Sequence, residues 1–366
     1  MAELLLGDDP PPPKGRSRWV DSAGLGAVVA VILAIGILGD RGAKGDRPAP
    51  TTTSTTVAPA TGPRPDPTST VPPGPVVLGP TLAEPTGTSL LVLGTSTPRL
   101  LDLDTGTLHE VTGASGFDAV GLRGGFVLTD PNGLGFLPAD GSPVRAFDAD
   151  SRRLQGRVAS SDPDRVWLAT ESDDGGLLAR EYDAGGRSTG RQLSLPRSAT
   201  IEEAVDDGLV VSQAGSLTFV DATDGRGHDL GRGNVVAAKG RTLARLTCVV
   251  LRCRLELVDV RTGRATPVDD LPPAAQGFGT FSPAGRWLAV TLIGGNERAF
   301  LVVIDVVGHR LGTTIGDGDA FAFASDDVLV VAARDGLRSY QLPEGTGRDV
   351  PVTLPAVQRL VAAPTR

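Results

Sequence analysis

The residues best suited to chemistry are few and scattered. Three histidines occur, His109, His228 and His309. Each falls at the outer end of a separate stretch of repeated sequence, so spacing unites them on neither a metal nor a catalytic relay. Gly186-Arg187-Ser188-Thr189-Gly190 has the Gly-x-Ser-x-Gly form of a nucleophile elbow. That device needs a strand before it and a helix after it. Here the flanks, Ala179–Tyr182 and Gln192–Leu195, both read as strands, which makes the motif a hairpin tip. Acidic pairs recur at Asp162/Asp164, Asp173/Asp174, Asp206/Asp207, Asp317/Asp319 and Asp326/Asp327. All sit in turn-like sequence, and none has the ligand spacing of a dedicated calcium loop.

Two other groups carry more weight. Glu202 and Glu203, with Asp118, are the carboxylates that fall on inner strands, and paired carboxylates can do acid–base work on a sugar. Aromatic residues make up only 4% of the chain, too few for an obvious sugar platform. The expectation is therefore no catalytic residue, no cofactor and no metal. Cys248 and Cys253 are the only cysteines, with four residues between them. Their flanks, Arg241–Thr247 and Arg254–Val260, read as two strands. A disulfide across the hairpin fits that spacing, and two separate buried thiols are the alternative. A disulfide implies an oxidising compartment. The tip it would hold, Val249-Val250-Leu251-Arg252, is apolar. It either contacts a partner or tucks onto neighbouring structure.

The elements that must position these residues are strands. Gly (48) and Pro (29) are abundant among the 366 residues, and the apolar runs are short, which points to many turns and an all-β fold. From Leu82 onward a unit repeats. It has a short inner strand, a tight turn, two longer strands, and a weaker strand after a Gly-bearing turn. Inner strands begin at Phe117, Arg157, Glu202, Asn234, Gly279, Phe321 and Val357, spaced by 40, 45, 32, 45, 42 and 36 residues. That is the period of four-stranded propeller blades. The final inner strand has no room for companions, whereas Ser89–Leu93, Leu100–Leu103 and Leu108–Val111 have no inner strand before them. Joined, they complete one of seven blades, and the closed ring removes the exposed edges that an open sheet would leave.

Asp102-Leu-Asp-Thr-Gly106, Asp221-Ala-Thr-Asp-Gly225 and Asp259-Val-Arg-Thr-Gly263 share a turn pattern between third and fourth strands. The Asp can bond turn N–H groups, and the Gly takes a left-handed backbone. Trp167 and Trp287 follow inner-strand turns at matching positions, where core between blades is expected. Strand alternation puts the Val249–Arg252 tip on the face of the blade-linking loops, opposite the Asp turns.

Ahead of the repeats lie three other segments. Residues 1–21 form a short polar tail. Ser22–Gly39 is an uncharged run of 18 residues. As a helix it spans about 27 Å, close to a bilayer core of about 30 Å. It is expected to be a signal anchor and single-pass membrane tether. Residues 40–81 form a linker, in which Asp46–Pro75 holds nine Pro, eight Thr and two Ser. Such a stalk reaches roughly 90 Å if extended. Basic residues tie on the two sides of the apolar run. Orientation therefore rests on the cysteines and the stalk, with the tail cytoplasmic and residues 82–366 extracytoplasmic at the cell membrane.

Net charge is −8, and all of it falls after residue 75. An acidic domain repels phosphate backbones, so nucleic acid is not an expected partner.

Phe281-Ser-Pro-Ala-Gly-Arg-Trp-Leu-Ala-Val290 resembles the Phe-Ser-Pro-Asp-Gly repeat of TolB-like propellers, relatives of the WD repeat. Ala284 stands where that repeat has Asp. Anchor, stalk and propeller together resemble actinobacterial envelope proteins. The resemblance implies the fold and a binding role, without a ligand. The expected function is a non-catalytic binding or scaffold module of the bacterial cell envelope, engaging a protein or cell-wall component. A propeller-type lyase or glycosidase using the inner carboxylates, and an accessory sensor for a membrane kinase or transporter, are the alternatives.

Overall fold

The computed structural model describes residues 75–366, other than 80, 95–96, 113–117, 131–132, 150–152, 250–251, 275, 295–298, 317, 319, 334–335, 355–356 and 365–366. The tail, the apolar run 22–39 and most of the stalk lie outside the described residues. Among those described, no helix is long and apolar enough to cross a membrane.

The strands form seven antiparallel sheets. Six are built from consecutive strands. Their inner strands are Ala119–Leu122, Leu154–Ala159, Thr200–Val205, Asn234–Lys239, Gln276–Phe281 and Phe321–Phe323, which define blades 1 to 6. Blade 7 joins distant parts of the chain. Its inner strand Val357–Pro364 pairs with Thr88–Gly94, and Arg99–Asp102 and Thr107–Glu110 follow outward. Each inner strand packs beside the next, and Val357–Pro364 packs beside both Phe321–Phe323 and Ala119–Leu122, so the ring closes. All seven expected inner strands occupy that position. Four of the starts differ in detail: the strands begin at Ala119, Leu154, Thr200 and Gln276, not at the expected Phe117, Arg157, Glu202 and Gly279.

Pairing also starts earlier than the 82–366 boundary anticipated. Val76–Val77 adds a fifth strand to blade 7, against Thr107 and Leu108. His109 therefore sits on the fourth of five strands.

The core is divided among the blade interfaces. Seven apolar clusters each join two neighbouring blades. This follows from the pattern of the strands. Second and third strands such as Trp287–Ile293 and Ala299–Asp305 are apolar on both sides, because both sheet faces meet another blade. Trp167 and Trp287 are both buried in such interfaces. Their positions differ by two residues: the residue opposite the third-strand Asp is Arg165 in blade 2 and Trp287 in blade 5. A shift of two preserves the face, so both still pack on the following blade.

The Asp turns form as expected. Asp102, Asp221 and Asp259 each accept hydrogen bonds from turn N–H groups through Oδ1, and the N–H of Gly106, Gly225 and Gly263 bonds back to the Asp carbonyl at 2.8–2.9 Å. Asp305 and Asp183 do the same work without matching the motif. The Gly186–Gly190 motif is less simple than a hairpin tip. The turn ends at Arg187, and Ser188–Leu195 is the outer strand of blade 2. Thr189 and Gly190 lie within that strand beside a bulge, and Thr189 Oγ donates to the Glu181 carboxylate at 2.9 Å. No helix follows, so no elbow forms.

Candidate functional site

The two faces of the ring differ in chemistry. One bears the turns between first and second strands and the Asp turns. Its charges are paired with one another across blade boundaries. Arg261 of blade 4 donates to Asp206 at 2.7 Å and to Asp221 at 2.5 Å in blade 3, and it lies over the Phe219 ring. Asp326 accepts from the Ala284 N–H at 2.6 Å, and Asp327 accepts from Trp287 Nε1 at 3.1 Å, tying blade 6 to blade 5. Arg123 pairs with Asp164 across blades 1 and 2 at 3.3 Å. Three of the acidic pairs noted in the sequence thus fasten blades together. Asp317 and Asp319 lie outside the described residues.

The opposite face bears the hairpins between second and third strands and the links from blade to blade. The inner strands line the central channel between the two faces. Register fixes which residues share a depth. Four positions along each second strand from the residue opposite the Asp turn, the inner-strand partners are Arg359, Asp118, Gly156, Thr200, Asn234, Phe278 and Ala320. One tier of the channel near the loop face is therefore charged at blades 7 and 1, bare at blade 2 and aromatic at blade 5.

Asp118 is the hub of the charged side. It pairs with Arg359 and, at 2.5 Å, with Arg157. Arg157 is buried, which pulls its guanidinium pKa down against the opposing pull of Asp118. Its Nε has no hydrogen-bond partner. Phe278 is 45% exposed and stacks on Phe321 with ring centroids 6.0 Å apart.

Glu203 stands two positions deeper, opposite Val210. Burial raises its pKa to about 7, the nearby Glu202 carboxylate adds to the rise, and Arg359 opposes it. A bulge between Ile201 and Glu203 places Glu202 as the extra residue. Glu202 instead accepts from Ser212 Oγ. The three expected inner carboxylates are thus brought to one stretch of channel, but Asp118 is consumed by arginines. Sequence reading missed Arg157, Arg359 and Phe278. Their local sequence gives no signal, because each acquires its partners only from another blade.

The disulfide Cys248–Cys253 is present. The two cysteines face each other directly across the blade 4 hairpin, with Cα atoms 3.9 Å apart. The Cys253 N–H also donates to Ala274 O, in the link to blade 5. Val249 is 71% exposed beside this clamp. Val250 and Leu251 lie outside the described residues, and Arg252 opens the third strand of the hairpin. No group of three or more His, Cys, Asp or Glu among the described residues is arranged to hold a metal. His109, His228 and His309 sit in three different blades.

No protein-family model matches the chain, and no curated protein matches it. Solved structures do. Pyrococcus horikoshii acylaminoacyl peptidase is 14% identical over 69% of this chain and 47% of that one, with a TM-score of 0.50. An acylaminoacyl peptidase in complex with Z-Gly-Gly-Phe-chloromethyl ketone gives 13%, 69% and 47%, with a TM-score of 0.53. TolB from Acinetobacter baumannii gives 11%, 76% and 82%, with a TM-score of 0.44. What the chain shares with the two peptidases is the fold. This chain is a seven-bladed β-propeller. It spans about half the length of the two peptidases (47%), and at these identities nothing of their chemistry carries over.

Proposed function

We propose that the propeller is a non-catalytic binding or scaffold module, held outside the membrane of a bacterial cell by the apolar run 22–39 and the Pro/Thr stalk, and that it engages a protein or cell-wall component through the loop face. The observation that carries this reading is the clamped hairpin of blade 4. An exposed Val249 beside a disulfide is an apolar contact whose ordering cost is met before binding. The loop face also holds the exposed Phe278 and the half-exposed Asp118–Arg359 pair. The opposite face spends its charges on its own blades. The disulfide supports an oxidising, extracytoplasmic location.

The test is site-specific photocrosslinking in intact cells. A crosslinker at Val249 should trap a discrete adduct, and one at Thr223 on the opposite face should not. Equal trapping from both faces, or none from Val249, would remove the proposal.

One observation favours a second reading. Glu203, with its pKa near 7 and Glu202 adjacent, holds its proton close to neutral pH, as a general acid must. A propeller lyase or glycosidase would use it. Turnover of an envelope polysaccharide that is lost in Glu203→Gln would establish that reading.

A further inference from the structure

A recess of about 400 Å³ opens between blades 2 and 3 on the loop face. Its origin is local. At the channel tier where blades 7, 1 and 5 present Arg359, Asp118 and Phe278, blade 2 presents Gly156. A Cβ on Gly156 would meet no protein atom within 4 Å. Gln155 is the bulged residue beside it and lines the same space. The volume lies at the low end of the ~300–1,000 Å³ typical of small-molecule sites.

The lining is mixed in a specific way. The apolar part comes from Leu177 and Ile201, both buried. Arg197 and Glu171 supply one cation and one anion. Among the described residues neither makes an ion pair or a side-chain hydrogen bond, although arginines elsewhere in the ring are commonly paired. The Arg197 guanidinium lies against Gly175, where a Cβ would stand 3.6 Å from it, so bare backbone leaves its fork accessible. A guanidinium fork matches a carboxylate in two parallel hydrogen bonds.

We propose that this recess binds an aliphatic α-amino carboxylate, either a free amino acid or the C-terminal residue of a peptide. Arg197 takes the carboxylate. Glu171 accepts from the α-nitrogen, which is an ammonium in the free amino acid and an amide N–H in a peptide. The aliphatic side chain rests on Leu177 and Ile201. This goes beyond docking at the Val249 hairpin. It is read by a separate measurement, so either idea can fail without the other.

The experiment is calorimetric titration of the full chain in detergent with three probes: leucine, alanyl-leucine and alanyl-leucinamide. Heat with leucine or alanyl-leucine supports the proposal, and comparing the two tells free amino acid from peptide terminus. The amide should bind about tenfold more weakly or worse, because the charged fork loses its partner. Arg197→Gln should erase the preference for acid over amide. Arg197 is exposed, so this variant should melt with the parent. Gly156→Val should block the recess, with its melting curve as the check on folding. Absence of heat with both acids, equal binding of acid and amide, or an unchanged preference in Arg197→Gln would each overturn the assignment.

Discussion

Arg359 and Asp118 are 241 residues apart in sequence and form an ion pair across the seam where the ring closes. Arg157 reaches the same carboxylate from blade 2, so one aspartate binds three blades at the channel mouth. The arginines are not equivalent. The Arg157 side chain is 8% exposed and that of Arg359 51%. Asp118→Ala should therefore cost about 2 kcal/mol, chiefly by leaving Arg157 buried without its partner. Arg359→Ala should cost less than about 1 kcal/mol, as an exposed pair does. Denaturant midpoints at constant slope measure both.

Closure of blade 7 makes a harsher prediction. Removing residues 357–366 strips Thr88–Gly94 of its inner neighbour and uncovers Leu90 and Val92 of the blade 6–7 cluster. The product should aggregate rather than persist as a monomer, since it gains an unpaired apolar edge. Size-exclusion chromatography decides this. A monodisperse truncated domain would show that six blades hold the ring alone.

Glu203 sets a pH dependence. Its folded pKa, about 7, lies above its unfolded value, so the folded state holds the proton more tightly. That contribution is complete at acidic pH. It is lost as pH rises from the ordinary carboxylate range to about 7, on the order of 1–3 kcal/mol after allowing for partial exposure. Unfolding midpoints at about pH 5 and about pH 8 should differ in that sense for the parent. Glu203→Gln should flatten the difference. A Gln variant with the parent's full pH slope would show that another group is responsible.

Replacing both Cys248 and Cys253 by Ser should lower stability by about 2 kcal/mol or less, because the loop closed is short. The larger effect should be local. Amide exchange at Thr247–Val249 should speed up while the other six blades keep their protection. The crosslinking yield from Val249 should fall with it.

Glu181 is a further structural acid. It is 0% exposed and receives Arg165 and Arg191, both at 3.2 Å, together with Ser160 Oγ at 2.7 Å and Thr189 Oγ at 2.9 Å. Glu181→Ala should cost about 2 kcal/mol, chiefly by leaving the Ser160 and Thr189 hydroxyls without their acceptor, since Arg165 keeps Asp162 and Arg191 keeps Asp207. Thermal unfolding gives the value.

The blade count is legible in the sequence because the repeat is local. Each inner strand, turn and hairpin declares itself within some forty residues, and the unmatched pieces at the two ends of the propeller can close the ring in one way. The cysteine hairpin is legible for the same reason. The inner-strand turn gives a misleading register for Trp167: the turn is as long in blade 2 (Ser160 to Arg165) as in blade 5 (Ser282 to Trp287), and Trp167 lies two residues further along its strand than Trp287 does.

Blade number, blade order and the bridged hairpin at Cys248–Cys253 are thus properties of the sequence itself. The tertiary structure alone decided what meets at the channel and between blades. Asp118, Arg157 and Arg359 come from three blades, and Gly156, Glu171 and Arg197 from two. A propeller brings residues together around the ring at equal depth, and depth depends on bulges and pairing register. Those are settled only when neighbouring blades pack, so the paired and bare positions of the loop face carry no signature in the chain.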